Sequence, residues 1–247
     1  TLAEAYEAAV NGDEIVLLKN AAGTGIVIKK SITIDFGGYV YTINTGVGDI
    51  PSNGLQIRKE AGEVTLKNGR LQINGNKSDL FYTLIQNYAN LTLEDMVLKG
   101  ENLDKWSGTD GDSYTLSINS GNVVIKGNTT ITANDEGAYA YAFDACKFKT
   151  YDAPTVTVEA SVKVYGKVEV TGGNLILKNK ITRPMVYTSG TVTLVDDGFI
   201  AAPEGYYFDN GVLTLDISNA VAKIGDKYFD TLAEAYEAAV NGDEIVL

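Results

Sequence analysis

The sequence predicts an all-β solenoid whose coils carry two or three short strands, with a short amphipathic capping helix at the start that recurs at the C-terminal end. Three observations predict it: a recurring tripeptide of the form apolar-Thr-apolar, turn residues before most of its copies, and a helix-forming segment that occurs twice. A hydrophobic share of 45% over 247 residues is sufficient for a continuous core.

The tripeptide marks half-buried strands, because alternation places two apolar side chains on one face and the middle residue on the other. Its copies lie at irregular intervals, which do not suit regular hairpins or a sandwich with evenly spaced strands. A solenoid of about eight or nine coils accommodates them, since insertions of variable length can leave from its turns. The copies, two of which have an aliphatic residue in place of Thr, begin at Ile32, Val64, Leu91, Val123, Val156, Leu175, Val192 and Leu213.

Residues 1–17 and 231–247 have the same sequence, TLAEAYEAAVNGDEIVL. Seventeen identities indicate a tandem repeat, so we interpret residues 1–230 as one solenoid unit, with its capping helix at 1–12, and residues 231–247 as the start of the next. The chain would then be an excerpt from a longer array. The alternative is a duplication introduced artificially at one end.

The duplicated segment is predicted to form a helix and then a strand. Thr1 and Glu4 fit a capping box, and Gly12 suits the end of a helix. The copy therefore predicts a helix from about Leu232 to Val240 and a strand from Glu244. An amphipathic helix covers the open end of a solenoid, so a helix shared by two units would make the array a stiff rod. The apolar side chains at helical spacing are Leu2, Ala5, Tyr6, Ala9 and Val10.

The opening TLAEAYEAAVNGDEIVLL, followed by SITIDFGGYVYTI, resembles right-handed parallel β-helix repeat modules of the pectate-lyase-like superfamily. It is most similar to versions in large cell-surface proteins of Gram-positive gut bacteria and some archaea, and residues 221–247 show the same resemblance. The resemblance implies a right-handed parallel β-helix and an extracellular, cell-surface location. It implies no particular activity, because β-helices include lyases, hydrolases, adhesins and passive stalks.

Composition excludes several classes of function. A net charge of −12 disfavours nucleic acid as a partner and binding to an anionic membrane surface, and the sequence contains no stretch suited to membrane insertion. The absence of histidine removes Ser-His-Asp and Cys-His catalysis and histidine-ligated metals. The single cysteine, Cys146, excludes an internal disulfide.

One insertion and one aromatic run are the candidate binding sites. Carboxylates in the Gly-rich segment 104–113 could bind calcium, the one candidate cofactor, although a flexible polar insertion between coils explains them better. Flat aromatic rings could stack on sugars, or could serve as packing between coils. The candidate calcium ligands are Asp104, Asp110 and Asp112, and the candidate sugar-binding residues are Trp106, Tyr206 and Tyr207.

No catalytic residue is expected. Asp196-Asp197 matches one element of the polygalacturonase set, but the histidine element is missing. We therefore expect a non-enzymatic structural and adhesive rod module of an extracellular surface or filament protein. Its expected partners are neighbouring copies of the same repeat, end to end, and glycans or proteins of a host or cell surface. The alternative is a carbohydrate-binding or carbohydrate-active, lyase-like β-helix.

Overall fold

A computed structural model describes residues 1–49, 51–75, 81–103, 112–134 and 140–247. Its contacts divide the chain into two compact units, residues 1–201 and 202–247. This boundary reflects packing, whereas the sequence repeat begins later, at Thr231.

The first unit begins with helix α1 (Leu2–Ala8) and contains a short 3-10 helix, Lys59–Ala61. Its first strands are β1 (Glu14–Val16), β2 (Ala21–Thr24), β3 (Ile26–Ile28), β4 (Ile32–Asp35), β5 (Val40–Thr45), β6 (Asn53–Ile57), β7 (Glu63–Ile73) and β8 (Thr83–Asn87). They are followed by β9 (Asn90–Lys99), β10 (Ser113–Ile118), β11 (Asn122–Lys126), β12 (Thr130–Thr132), β13 (Ala140–Cys146), β14 (Thr155–Val158), β15 (Lys163–Tyr165), β16 (Lys167–Leu177) and β17 (Met185–Leu194).

The second unit contains strands β18 (Tyr206–Asp209), β19 (Val212–Leu215), β20 (Ala222–Ile224) and β21 (Lys227–Phe229). Helix α2 (Leu232–Ala238) and strand β22 (Ile245–Val246) follow.

Parallel pairings in the first unit fall into three series, each with one strand from every coil that it crosses. The first sheet joins β1, β4, β11 and β14 with the first halves of β7 and β9 and the second halves of β16 and β17. The second joins β2, β5, β12 and β15 with the second halves of β7 and β9. The third joins β3, β6, β8, β10, β13 and the first halves of β16 and β17. The predicted all-β fold with a parallel β-helix is confirmed.

Seven of the eight tripeptides lie one above another on the first sheet. Ile32 pairs with Val64, Val64 with Leu91, Leu91 with Val123, and the register continues through Val156 and Leu175 to Val192. All seven side chains are at most 3% exposed, while the middle residues of the tripeptides are half-buried. The recurring tripeptide therefore predicted both the stacking and the inward face.

The eighth tripeptide was interpreted wrongly. Leu213-Thr214-Leu215 forms part of β19, which pairs antiparallel with β18, and Leu215 is exposed. The cause is the two-residue turn Asn210-Gly211, in which both residues have positive φ, as a type I′ hairpin turn requires. This local turn chemistry selected a hairpin instead of another coil.

Helix α1 packs on the first coils of the β-helix through both apolar and polar contacts. Leu2 and Tyr6 are buried, and the Tyr6 hydroxyl accepts a hydrogen bond from the Lys29 backbone N–H at 2.7 Å. Lys30 Nζ donates to the carbonyl oxygens of Tyr6 and Ala9, both at 2.8 Å, at the C-terminal end of the helix. A cation at that end neutralises the negative pole of the helix dipole and pairs carbonyl groups that have no partner within the helix.

The copy at 231–247 forms the same local structure. Thr231 and Glu234 make the same capping box as Thr1 and Glu4, and α2 has the same length as α1. Both predicted helices are therefore present, but α1 ends at Ala8 with Ala9 as its C-cap and not at Gly12, and α2 ends two residues before the expected end. The strands differ: β1 pairs parallel with β4, whereas β22 pairs antiparallel with β20.

Candidate functional site: a polar groove on the third sheet

A groove with a volume of about 740 Å³ crosses strands β6, β8, β10, β13 and β16 of the third sheet. This volume lies within the range of ligand pockets in proteins. Most of its lining is made of amides, hydroxyls, carboxylates and aromatic rings. Since it crosses five successive coils, the groove is elongated along the axis of coil stacking.

The groove exists because the strands of the third sheet depart from simple alternation. Three of them contribute lining side chains three positions apart, with two buried residues between: Asn53 and Gln56, Thr83 and Gln86, and Tyr114 and Ser117. Between the members of each pair both paired strands leave one residue unpaired at the same level, so the register is kept while the alternation of side chains is interrupted. Sequence reasoning missed these residues, since a period of two assigns them to opposite faces.

One polar residue from each coil forms a column along the groove. Gln56 Nε2 donates to Gln86 Oε1 at 2.6 Å. Gln86 is paired in register with Ser117, whose Oγ donates to Asp144 Oδ2 at 3.3 Å. Asp144 is in turn level with Glu169. With strands spaced about 4.8 Å apart, the five positions cover roughly 19 Å. We refer to these five residues as the polar column.

At its N-terminal end the polar column contains an acceptor without a donor. Gln86 Oε1 accepts from both Gln56 Nε2 and Asn53 Nδ2, the latter at 3.1 Å. Gln56 is only 1% exposed, and its own Oε1 has no hydrogen-bond partner among the described residues; the same holds for Thr171 Oγ1 at the other end of the groove. A buried acceptor without a donor is costly, so a small shift of the Gln56 side chain that lets a ligand hydroxyl donate to it would be favoured.

At its other end the polar column contains two adjacent carboxyl groups. Asp144 is 3% exposed, accepts hydrogen bonds from the Ile118 backbone N–H and the Ser117 hydroxyl, and has a pKa raised well above its ordinary value, mainly by burial. Glu169 Oε2 accepts a hydrogen bond from the Tyr114 hydroxyl at 2.7 Å. Burial is also the largest cause of the raised pKa of Glu169.

Aromatic rings flank the polar column. Tyr88 lies 5.0 Å from Tyr151 and 6.0 Å from Phe148, measured between ring centroids, and burial raises the pKa of Tyr88 to about 12. Tyr114 stacks on Tyr141 with centroids 5.1 Å apart. The groove therefore combines apolar ring surfaces with neutral hydroxyl donors, the usual composition of a site for an amphipathic ligand.

The charge of the groove is predominantly acidic. Four of its lining residues are acids, and Lys149 is the one basic residue among those that line it. Like charges repel strongly where solvent is partly excluded, so this lining opposes polyanionic ligands. The four acids are Asp49, Asp112, Asp144 and Glu169.

The raised pKa of Asp144 predicts how stability depends on pH. As the pH rises above the ordinary pKa of an aspartate, Asp144 loses its carboxyl proton in the unfolded chain and keeps it in the folded chain. The free energy of unfolding therefore decreases with pH, by at most about 1.4 kcal/mol per pH unit, until the pH exceeds the folded pKa. Because Asp144→Asn removes this contribution, we expect thermal unfolding of the variant to change less than that of the wild type between about pH 5 and pH 8.

Asp197→Asn is the control for this measurement, since Asp197 is exposed. We expect it to keep the wild-type dependence of the melting temperature on pH. If Asp144→Asn had the same pH dependence as Asp197→Asn, the conclusion that Asp144 holds its proton in the folded state would be wrong.

The structure places one of the site residues predicted from the sequence in this groove and two others elsewhere. Asp112 lines it, with its Oδ2 3.4 Å from the Tyr114 hydroxyl, while Asp104, Asp110 and Trp106 lie outside the described residues. Tyr206 and Tyr207 lie on β18 of the second unit. Within the described part of the chain, no three His, Cys, Asp or Glu side chains form a group that could bind a metal ion.

Cys146 lines the groove and is half-buried, and burial raises the pKa of its thiol to about 12. The thiol is therefore protonated at neutral pH and is a poor nucleophile. None of the helices in the described ranges has the length and apolar character needed to cross a bilayer.

Comparison with protein-family models, with curated proteins and with solved structures gave no match. No relative therefore supplies a ligand or an activity for the groove.

Proposed function

We propose that the β-helix is a non-enzymatic adhesive module that binds a neutral, linear glycan along the groove of the third sheet. The observation that carries this proposal is the polar column, which offers one hydrogen-bonding side chain per coil over five coils, with the Gln56 Oε1 acceptor unpaired. A regular column suits a polymer with regularly spaced hydroxyl groups. Amides, hydroxyls and carboxylates suit such groups because each hydroxyl both donates and accepts hydrogen bonds.

An extended peptide is a less suitable ligand for this groove. Peptides that bind to sheets usually add a strand at an open edge, where main-chain groups are unpaired. The groove lies instead on the face of β6, β8, β10, β13 and β16, whose main chains are paired with neighbouring strands. It therefore offers side chains to a ligand, as a glycan requires.

A neutral glycan is favoured over an acidic one because the groove is lined by several acids, of which Asp144 keeps its proton, and by a single lysine. Uronic acid chains would bring carboxylates close to Asp112 and to Asp49, whose pKa is lowered by its hydrogen bond from Arg58 and which therefore carries charge within an ion pair. The repulsion opposes the lyase-like alternative, whose substrates are polyanions.

Binding is favoured over catalysis by the environment of Asp144. Both of its oxygens accept hydrogen bonds from protein groups, the Ile118 N–H and the Ser117 hydroxyl. A general acid must donate its proton to the substrate, so it has to reach the glycosidic oxygen. Asp144 is better placed to hold the third sheet together and to position Ser117.

The biological context of the module is also a proposal. The resemblance of residues 1–45 and 221–247 to repeat modules of cell-surface proteins, together with the exact duplication, supports a tandem-repeat protein of the extracellular surface within the pectate-lyase-like superfamily. The net charge of −12 favours solubility and keeps repeated units from associating non-specifically.

The test is a panel of immobilised neutral glycans (glucans, mannans, xylans and galactans) alongside pectin and alginate. We expect binding to at least one neutral glycan, weakened about tenfold or more by Gln56→Leu, because the variant loses hydrogen bonds to the ligand. Gln72→Leu is the matched control, since Gln72 lies on the second sheet and donates to Thr42 Oγ1. Binding to none of the neutral glycans, or equal losses in both variants, would contradict the proposal. Glycan cleavage abolished by Asp144→Asn would contradict its non-enzymatic part.

A further inference from the structure

The two copies of the duplicated segment bury neighbouring parts of the apolar side of the same helix to different extents. In α1, Leu2 and Tyr6 are 5% and 4% exposed, whereas the corresponding Leu232 and Tyr236 of α2 are 49% and 76% exposed. Sequence and capping are identical, so this difference comes only from what each helix packs against. We call the surface of Leu232 and Tyr236 the leucine-tyrosine face.

The neighbouring alanine position differs less between the copies. Ala235 of α2 is fully buried where the helix contacts β20 and β21, while the corresponding Ala5 of α1 is half-buried. The alanine position therefore fits the β20–β21 hairpin, and the leucine-tyrosine face fits the first coils of the β-helix. In α2 the alanine position is buried while Leu232 and Tyr236 stay exposed, so these two side chains remain open to a second partner.

The surface that fits the leucine-tyrosine face is visible at α1. There the tyrosine hydroxyl accepts from the Lys29 N–H at 2.7 Å, and Lys30 Nζ lies 4.7 Å from the centre of the tyrosine ring while it donates to main-chain carbonyls of the helix. Because residues 231–247 repeat residues 1–17 without a change, they carry every group that makes these contacts.

We infer that α2 docks through its leucine-tyrosine face onto the first coil of a second copy of this chain, in the position that the second copy's own α1 otherwise occupies. The contact is heterologous, joining the end of one chain to the start of the next, and it repeats into head-to-tail chains. The docked helix keeps Ala235 on its own hairpin and places Leu232 and Tyr236 on its neighbour. Because α1 is tethered to its own first coil, its high effective concentration favours it over the α2 of a second copy. Docking of α2 therefore increases when the packing of α1 on that coil is weakened.

The test weakens α1 in the full chain and measures association by sedimentation velocity. We expect the double variant Leu2→Asp/Tyr6→Asp to form oligomers whose mass increases with concentration, under conditions where the wild type is monomeric. Adding Leu232→Asp/Tyr236→Asp to that variant is expected to restore the monomer. A double variant that stays monomeric while its circular dichroism keeps the β signal would overturn the inference.

A second pair of variants leaves the β-helix core untouched. Thr1→Ala/Glu4→Ala removes the capping box of α1, and Thr231→Ala/Glu234→Ala removes the identical box of α2. We expect the first pair to increase association relative to the wild type and the second pair to decrease it. Equal association of the two pairs would contradict docking through α2.

A peptide of residues 1–17 provides a competitor. We expect it to dissociate the oligomers of the Leu2→Asp/Tyr6→Asp variant, and we expect the same peptide with Tyr6→Asp to have no effect. Oligomers that resist the first peptide would show that they form through another surface.

Discussion

Val64→Asp is expected to unfold the β-helix. Val64 is 2% exposed and lies between Ile32 and Leu91 in the stack of tripeptides on the first sheet. An aspartate there would bury a charge without a partner, at a cost of several kcal/mol, which is a large part of the stability of a typical domain. Loss of the β signal in circular dichroism, or a large decrease in the urea midpoint, would be the measured result.

Thr65→Asp is the matched control for this variant. Thr65 is the next residue on the same strand, but its side chain is half-buried and points away from the core. We expect the control to remain folded, with a loss of at most about 1 kcal/mol. Similar losses in the two variants would mean that the inward and outward faces of the first sheet are assigned wrongly.

Tyr6→Ala and Tyr236→Ala are expected to have very different effects, although the two tyrosines lie in identical sequences. Removal of the buried Tyr6 ring should cost about 3–5 kcal/mol, the range for a large aromatic side chain in a core. It also removes the hydroxyl that accepts from the Lys29 N–H. The exposed Tyr236 should change the free energy of unfolding by no more than about 0.5 kcal/mol.

Thermal unfolding followed by circular dichroism in dilute solution tests this pair. Dilution keeps the chains apart, so the measured difference reports packing within one chain. If Tyr236→Ala destabilised the chain as strongly as Tyr6→Ala, the two helices would have equivalent environments, and the description of the two copies as differently buried would be wrong.

The residues that line the groove could not be predicted from the sequence. Gln56, Gln86 and Asp144 are unremarkable in the sequence, because nothing in their local pattern marks them as members of one column. An interruption of the alternation in the third sheet places them in the groove, and the stacking of coils brings together residues about 30 positions apart. A sequence pattern of period two contains neither piece of information.

The hairpin at residues 206–215 is a different case, since its signal was local. Asn210-Gly211 between two short apolar runs is a strong hairpin signal, and the tripeptide that follows it looked like another coil. Two local patterns competed at this point, and the turn prevailed because its geometry directs the chain back on itself.

The sequence alone determined the features that depend on neighbouring residues and on alternation. These are the capping boxes and helices of both copies, and the inward face of the seven stacked tripeptides. Only the tertiary structure decided which partner each element meets. The same residues give β1, parallel to β4, and β22, antiparallel to β20, and bury Tyr6 while exposing Tyr236. The physical reason is that helix caps and alternation act within a few residues, whereas burial and strand pairing depend on whichever surface the fold brings alongside.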